Sequence, residues 1–74
     1  MKDMYELDLR QVTKIQTALV IAASAEDEVA GQMSEAADRL ARSGWAEEAQ
    51  LALGAARAAL ARAAEYRGLI KAFE

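Results

Sequence analysis

Few side chains in this sequence could do chemistry. Glu26, Asp27 and Glu28 are the densest group of carboxylates, but consecutive helical residues point in different directions and cannot all reach one metal ion. The candidate nucleophiles are scattered, and none has a basic partner at a spacing that supports catalysis: Tyr5, Ser24, Ser34, Ser43 and Tyr66. The chain has no histidine and no cysteine. We therefore predict a protein that is not an enzyme and holds no metal or cofactor.

The composition is that of one small helical domain spanning residues 1–74. Proline is absent, alanine makes up about a quarter of the residues, and aromatic residues are few, so helix propensity is high almost throughout. The formal net charge of −3 argues against a general nucleic-acid binder, which needs clustered lysine and arginine. The sequence contains no run of about 20 apolar residues, which is the length that a helix needs to span a bilayer. We predict a cytoplasmic protein with no role in a membrane.

The segment from Gln16 to Gly31 changes abruptly from apolar to acidic and allows three interpretations. A secretory signal would need a basic start, but acids precede the apolar run. Ser24 followed by Glu26 and Asp27 could begin a second helix, which would make the fold a three-helix bundle. Apolar spacings of three and four nevertheless pass straight through Ser24 and favour one continuous helix. This seam consists of Val12, Ile15, Leu19, Ala22, Glu26, Val29, Met33, Ala36 and Leu40.

The complete pattern predicts an all-α fold, an antiparallel helical hairpin. Asp3 and Glu6 have the spacing of a capping box, so we expect the long helix to cover about residues 4–42. Gly44 is suited to the left-handed residue that ends it. A second helix over about residues 45–73 carries its own apolar seam: Ala49, Ala52, Ala56, Ala59, Ala63, Tyr66, Ile70 and Phe73.

Folding the chain at Gly44 places residue i roughly opposite residue 88 − i. Large residues then mostly face small ones. Glu26, the one charged residue of the first seam, falls opposite Arg62, and this pair would define the register. The acidic stretch 26–48 would also lie along the basic stretch 57–71.

The second helix is too short to cover residues 4–14, which form an apolar overhang, and Val20 and Ile21 lie off the seam. Apolar surface of this extent is typical of association. We expect two hairpins to pair as a homodimeric four-helix bundle, and we also expect a second protein to bind. The predicted contact residues are Tyr5, Leu9, Val12, Val20, Ile21 and Trp45.

These features favour a small non-catalytic protein-binding module: an adaptor, an inhibitor or a chaperone-like subunit. In size and hairpin plan the chain also resembles the helical-hairpin co-chaperones of bacterial type III secretion and small phage-encoded inhibitors. The plan further resembles the plasmid-encoded Rop-type dimers, and that resemblance implies binding of paired RNA loops. Such a role needs a basic stripe, whereas Arg57, Arg62 and Arg67 step by five residues and spiral around their helix.

Overall fold

The computed structural model describes residues 8–74, and they form two α-helices. Helix α1 spans Leu9–Arg42 and helix α2 spans Ala46–Ala72. The two helices pack against each other as a hairpin, as predicted. Helix α1 passes through Ser24 without a break, which rules out the three-helix alternative within residues 8–74. Helix α2 begins and ends within one residue of its predicted limits.

Helix α1 begins at Leu9, not at Met4 as the sequence suggested. Asp8 is the N-cap: its side chain accepts a hydrogen bond from the Gln11 backbone N–H at 2.8 Å, and the Gln11 side chain accepts one from the Asp8 N–H at 3.0 Å. This reciprocal pair is a capping box with glutamine at its third position. The Asp3–Glu6 pair that was expected in this role lies outside the described residues.

The turn between the helices is closed by backbone hydrogen bonds around Gly44. Its φ angle of 84° lies in the left-handed region, which glycine adopts without a steric penalty. The Gly44 N–H donates to the Ala41 carbonyl at 3.2 Å, and the Trp45 N–H donates to the Leu40 carbonyl at 2.9 Å. This is a Schellman motif, and it satisfies the last carbonyls of α1. The predicted role of Gly44 is confirmed.

Charges near the turn match the dipoles of both helices. Helix α1 ends with Arg39 and Arg42 in its last turn, and α2 begins with Glu47 and Glu48 in its first turn. Cations at a helix C-terminus and anions at an N-terminus each contribute about 0.3–1 kcal/mol. The reversal at Gly44 is therefore favoured from both sides.

The buried core of the described residues is made entirely of alanine. No larger side chain is fully buried, and Ala59 and Ala63 have no exposed surface at all. Helices whose facing residues are small can approach more closely than the 8–10 Å that larger side chains usually impose. The seven buried residues are Ala23, Ala30, Ala37, Ala49, Ala56, Ala59 and Ala63.

The seam predicted for α2 is confirmed, and one of the two rows predicted for α1 is shifted by one residue. The other row is half-buried as predicted: Val12, Leu19, Glu26, Met33 and Leu40. In α2 every predicted seam residue is buried or half-buried. In α1 the buried row is Ala23, Ala30 and Ala37, whereas the sequence pattern pointed to the preceding residue in each case. Val29, one of those preceding residues, is 37% exposed. Alanine stands at 22, 23, 36 and 37, so hydrophobicity alone could not separate the two rows.

Two glycine-to-alanine substitutions should have opposite effects on stability. Gly44→Ala forces a Cβ into a left-handed conformation and should destabilise the hairpin by about 1 kcal/mol. Gly31 lies inside α1, and a Cβ added there meets nothing within 4 Å. Gly31→Ala should therefore stabilise the hairpin by up to about 1 kcal/mol. Urea unfolding followed by circular dichroism measures both, and equal effects would contradict this account of the turn.

Candidate protein-interaction surfaces

The predicted contact residues lie on different parts of the hairpin. Leu9 is 82% exposed at the first turn of α1, beyond the reach of α2, while Val12 is half-buried. Trp45 precedes α2 at the turn; it is 58% exposed and makes no side-chain capping hydrogen bond. Tyr5 lies outside the described residues. These residues therefore form no single site.

Val20 and Ile21 are neighbours on the exposed side of α1, and together with Ala18 and Ala25 they form what we call the α1 patch. The side chains of Val20 and Ile21 are 51% and 64% exposed, and Ala18 and Ala25 lie exposed at helical spacing from Ile21. Further along the same outer face the residues become polar, with Glu28 among them. The polar half comprises Glu28, Gln32, Glu35, Arg39 and Arg42. The α1 patch thus ends between Ala25 and Glu28.

A second apolar surface, absent from the sequence prediction, runs along the side of α2 that faces away from α1. We call it the α2 outer face. All of its residues are exposed, and Leu51 is 75% exposed. They repeat at three and four residues: Leu51, Gly54, Ala58, Ala61, Glu65, Gly68 and Ala72. Helix α2 is therefore apolar on two opposite sides, which is typical of a helix buried in a larger assembly.

The Glu26–Arg62 ion pair connects the two helices near their middle. Arg62 donates from Nε to a Glu26 carboxylate oxygen, which confirms the predicted partner and the register. Glu26 occupies the row that otherwise carries Val12, Leu19, Met33 and Leu40 at seven-residue spacing. Its side chain is accordingly only 18% exposed. A carboxylate in such a position is costly unless it has a partner.

A second ion pair, between Asp27 and Arg67, also joins the two helices, and Asp27 directly follows Glu26 in the sequence. Arg67 donates through both terminal nitrogens to Asp27, and the Nη1–Oδ1 distance is 3.4 Å. This hydrogen bond lowers the pKa of the Asp27 carboxyl from its ordinary value; desolvation opposes the effect, and the positive charge of Arg67 adds to it. The same hydrogen bond raises the pKa of Arg67.

The two ion pairs leave little basic surface on α2. Arg62 and Arg67 both point to acidic partners on α1, so their charges are largely neutralised. Arg57 and Lys71 have no such partner among the described residues. Two separate cations do not make the stripe that binding to a phosphate backbone requires.

A surface pocket of about 260 Å³ opens between the helices near the turn. The pocket exists because several side chains around it are small. Both apolar and polar residues line it: Ser34, Ala37, Asp38, Ala41, Ala49, Gln50 and Leu53. Within residues 8–74 no three histidine, cysteine or acidic side chains are close enough to hold a metal ion. Neither α1 nor α2 has a stretch that is long and apolar enough to cross a membrane.

Comparison with models of known families, with curated proteins and with solved structures gives no match to this chain. The arguments about its function therefore rest on its own residues.

A double-mutant cycle should reveal the coupling between Glu26 and Arg62. Glu26→Gln and Arg62→Gln should each destabilise the hairpin, and the double variant should lose less than the sum. We expect a coupling free energy of about 0.5–1 kcal/mol in urea unfolding. The same cycle applied to the exposed Asp38–Arg42 pair of α1, 2.9 Å apart, should give a smaller coupling. Additive effects at Glu26 and Arg62 would contradict the interhelical pair.

The Asp27–Arg67 pair should make stability depend on pH in the acid range. Because the folded-state pKa of Asp27 is lowered, its contribution is complete above the ordinary carboxyl pKa of about 3.9. It is lost as the pH falls through the folded-state value. Asp27→Asn should therefore lower the melting temperature at pH 7 and have little effect near pH 2. In an Arg67→Met background the substitution should have little effect at either pH, and an unchanged effect there would refute the pairing.

Proposed function

We propose that this protein is a non-catalytic protein-binding module that acts through the apolar faces of its helices. The observation that supports this most directly is the distribution of apolar side chains. The buried core consists of alanine, while the large residues Leu9, Val20, Ile21, Leu51 and Leu60 are at least half exposed. Most small folded domains bury their large apolar residues.

The energetics of burial explain why this distribution favours association. Burying a methyl-sized group contributes about 0.8 kcal/mol, whereas burying a leucine contributes about 1.5–3 kcal/mol. The hairpin obtains only the smaller gain at each fully buried position. The larger gains become accessible when another polypeptide covers the exposed leucine, valine and isoleucine side chains.

The α1 patch has the properties of a helix that binds in the groove of another protein. Its apolar residues Ala18, Ile21 and Ala25 are separated by three and four residues, so they share one face of the helix. The polar residues that follow Ile21 would limit the contact to this half of α1. Toward the start of the helix this face continues with the polar residues Lys14 and Gln11, so the patch is limited at both ends.

Pairing of two hairpins into a four-helix assembly is part of the same proposal. A two-helix hairpin buries a small fraction of its surface compared with larger domains, and a second copy would add a layer. Pairing and binding of another protein are compatible, because the α1 patch and the α2 outer face lie on different helices.

Binding of paired RNA, the function implied by the Rop-type resemblance, is less well supported. Arg62 and Arg67 are occupied by Glu26 and Asp27. Arg57→Glu should therefore have little effect on any binding of nucleic acid. RNA binding that weakens steeply as the salt concentration rises, and that Arg57→Glu abolishes, would instead favour the Rop-type function.

Site-specific photocrosslinking in the cells that make the protein tests the role of the α1 patch. A benzoylphenylalanine at Ile21 should give a covalent adduct with a second, different protein. Glu35 is the matched control, because it lies on the same outer face of α1 two heptads later and should give no adduct. The purified partner should then bind the wild-type chain, and Ile21→Asp should weaken that binding at least tenfold. Equal adducts at Ile21 and Glu35, or none at Ile21, would refute the proposal.

A further inference from the structure

We infer that two copies of this protein dimerise through the α2 outer face, with the two α2 helices antiparallel and centred on Ala61. The inference deepens the pairing part of the proposed function by naming the surface and the register. The binding of another protein at the α1 patch is a separate question, and a separate experiment tests it.

The first observation is that the face of α2 opposite the core is also largely apolar. From Leu51 to Ala72 its exposed residues are leucine, alanine and glycine, interrupted only by Glu65. This stretch of 22 residues is about 33 Å long at 1.5 Å per residue. It is therefore nearly as long as the contact that holds α1 against α2. A helix that is apolar on both sides is normally covered on both sides.

The second observation concerns Gly54 and Gly68. Both lie inside α2, where glycine costs about 1 kcal/mol relative to alanine. A Cβ at either position would meet nothing within 4 Å in the single chain, so packing inside the hairpin does not require glycine. Both face outward in line with Ala61, seven residues away on either side. Small residues at this spacing let a second helix approach closely.

The third observation is that opposite charges on α2 would face each other across a symmetric pair of helices. In an antiparallel pair centred on Ala61, residue i faces residue 122 − i of the other copy. Arg57 then faces Glu65 of the second chain, and the two-fold axis creates this pair twice. Gly54 faces Gly68 in the same register. Neither Arg57 nor Glu65 forms an ion pair within residues 8–74.

A second copy of this chain is the occupant that these observations favour. Gly54, Ala61 and Gly68 are placed symmetrically about Ala61, and the opposite charges of Arg57 and Glu65 are too, as a two-fold interface requires. In this arrangement the four helices lie in the order α1, α2, α2, α1, so both α1 patches remain accessible.

Light scattering across a range of concentrations is the first test. The chain has a mass of 8.0 kDa, and we expect twice that mass at high concentration. Ala61→Glu places like charges against each other on the two-fold axis and should raise the dimer dissociation constant at least tenfold. Ala25→Glu makes the same change at an exposed alanine of α1 and should leave it unchanged. A monomer at every concentration, or loss of the dimer only with Ala25→Glu, would overturn the inference.

Charge reversal tests the register independently of folding. Arg57→Glu alone and Glu65→Arg alone should each weaken the dimer, because each places like charges opposite one another. The double variant Arg57→Glu/Glu65→Arg should restore the wild-type dissociation constant, which a variant that merely unfolds could not do. A dimer that is insensitive to the single changes, or that the double change fails to restore, would overturn this register.

Disulfide trapping provides a geometric check, because the chain has no native cysteine. Ala61→Cys puts one thiol beside its own copy on the two-fold axis, and a disulfide requires about 4.4–6.8 Å between the two Cα atoms. Mild oxidation should yield a covalent dimer. Ala25→Cys is the control and should remain monomeric under denaturing conditions. Equal cross-linking of the two variants would contradict the α2 interface.

Discussion

The close contact of alanine with alanine between the two helices is the constraint on which the rest of this structure depends. Ala59 and Ala63 are completely covered, and no larger side chain is. Because alanine occupies the centre of the seam, the helix backbones can lie close together. Larger apolar residues such as Leu19, Met33 and Ile70 flank this centre and are half-buried. Others, Ile21 and Leu51 among them, lie exposed on the outside of the hairpin, where they form the surfaces available for association.

A core of alanine has a weakness, because it does not define the register well. Sliding one helix by seven residues would again place alanine against alanine, since the rows 23–30–37 and 49–56–63 have the same period. The alanine rows alone therefore do not distinguish the native alignment. The ion pairs of Glu26 with Arg62 and of Asp27 with Arg67 do distinguish the native alignment. A slipped helix would separate the charges and leave Glu26 half-buried without a partner. The main contribution of the two ion pairs is therefore to specify the register of the helices.

Much of the hairpin could be predicted from sequence, because several strong local signals agree: the turn at Gly44, the seam of α2, the Glu26–Arg62 pair and the absence of a stop signal before Ser24. The predictions failed where the signals are degenerate. Adjacent alanines hid the true seam of α1, and Asp3 and Asp8 both have the spacing of a cap. The α2 outer face was missed because alanine and glycine carry little hydrophobic signal, so only its exposure in the structure reveals it.

The single turn at Gly44 also has a consequence for how the chain folds. Partners near the turn are separated by few residues, whereas Glu26 and Arg62 are 36 residues apart, and partners at the open end are further apart still. Closing a loop costs more entropy as it lengthens, so the hairpin should zip from Gly44 outward and fray from the opposite end. The two interhelical ion pairs lie midway along this path. They should form after the contacts near Gly44 and before those at the open end.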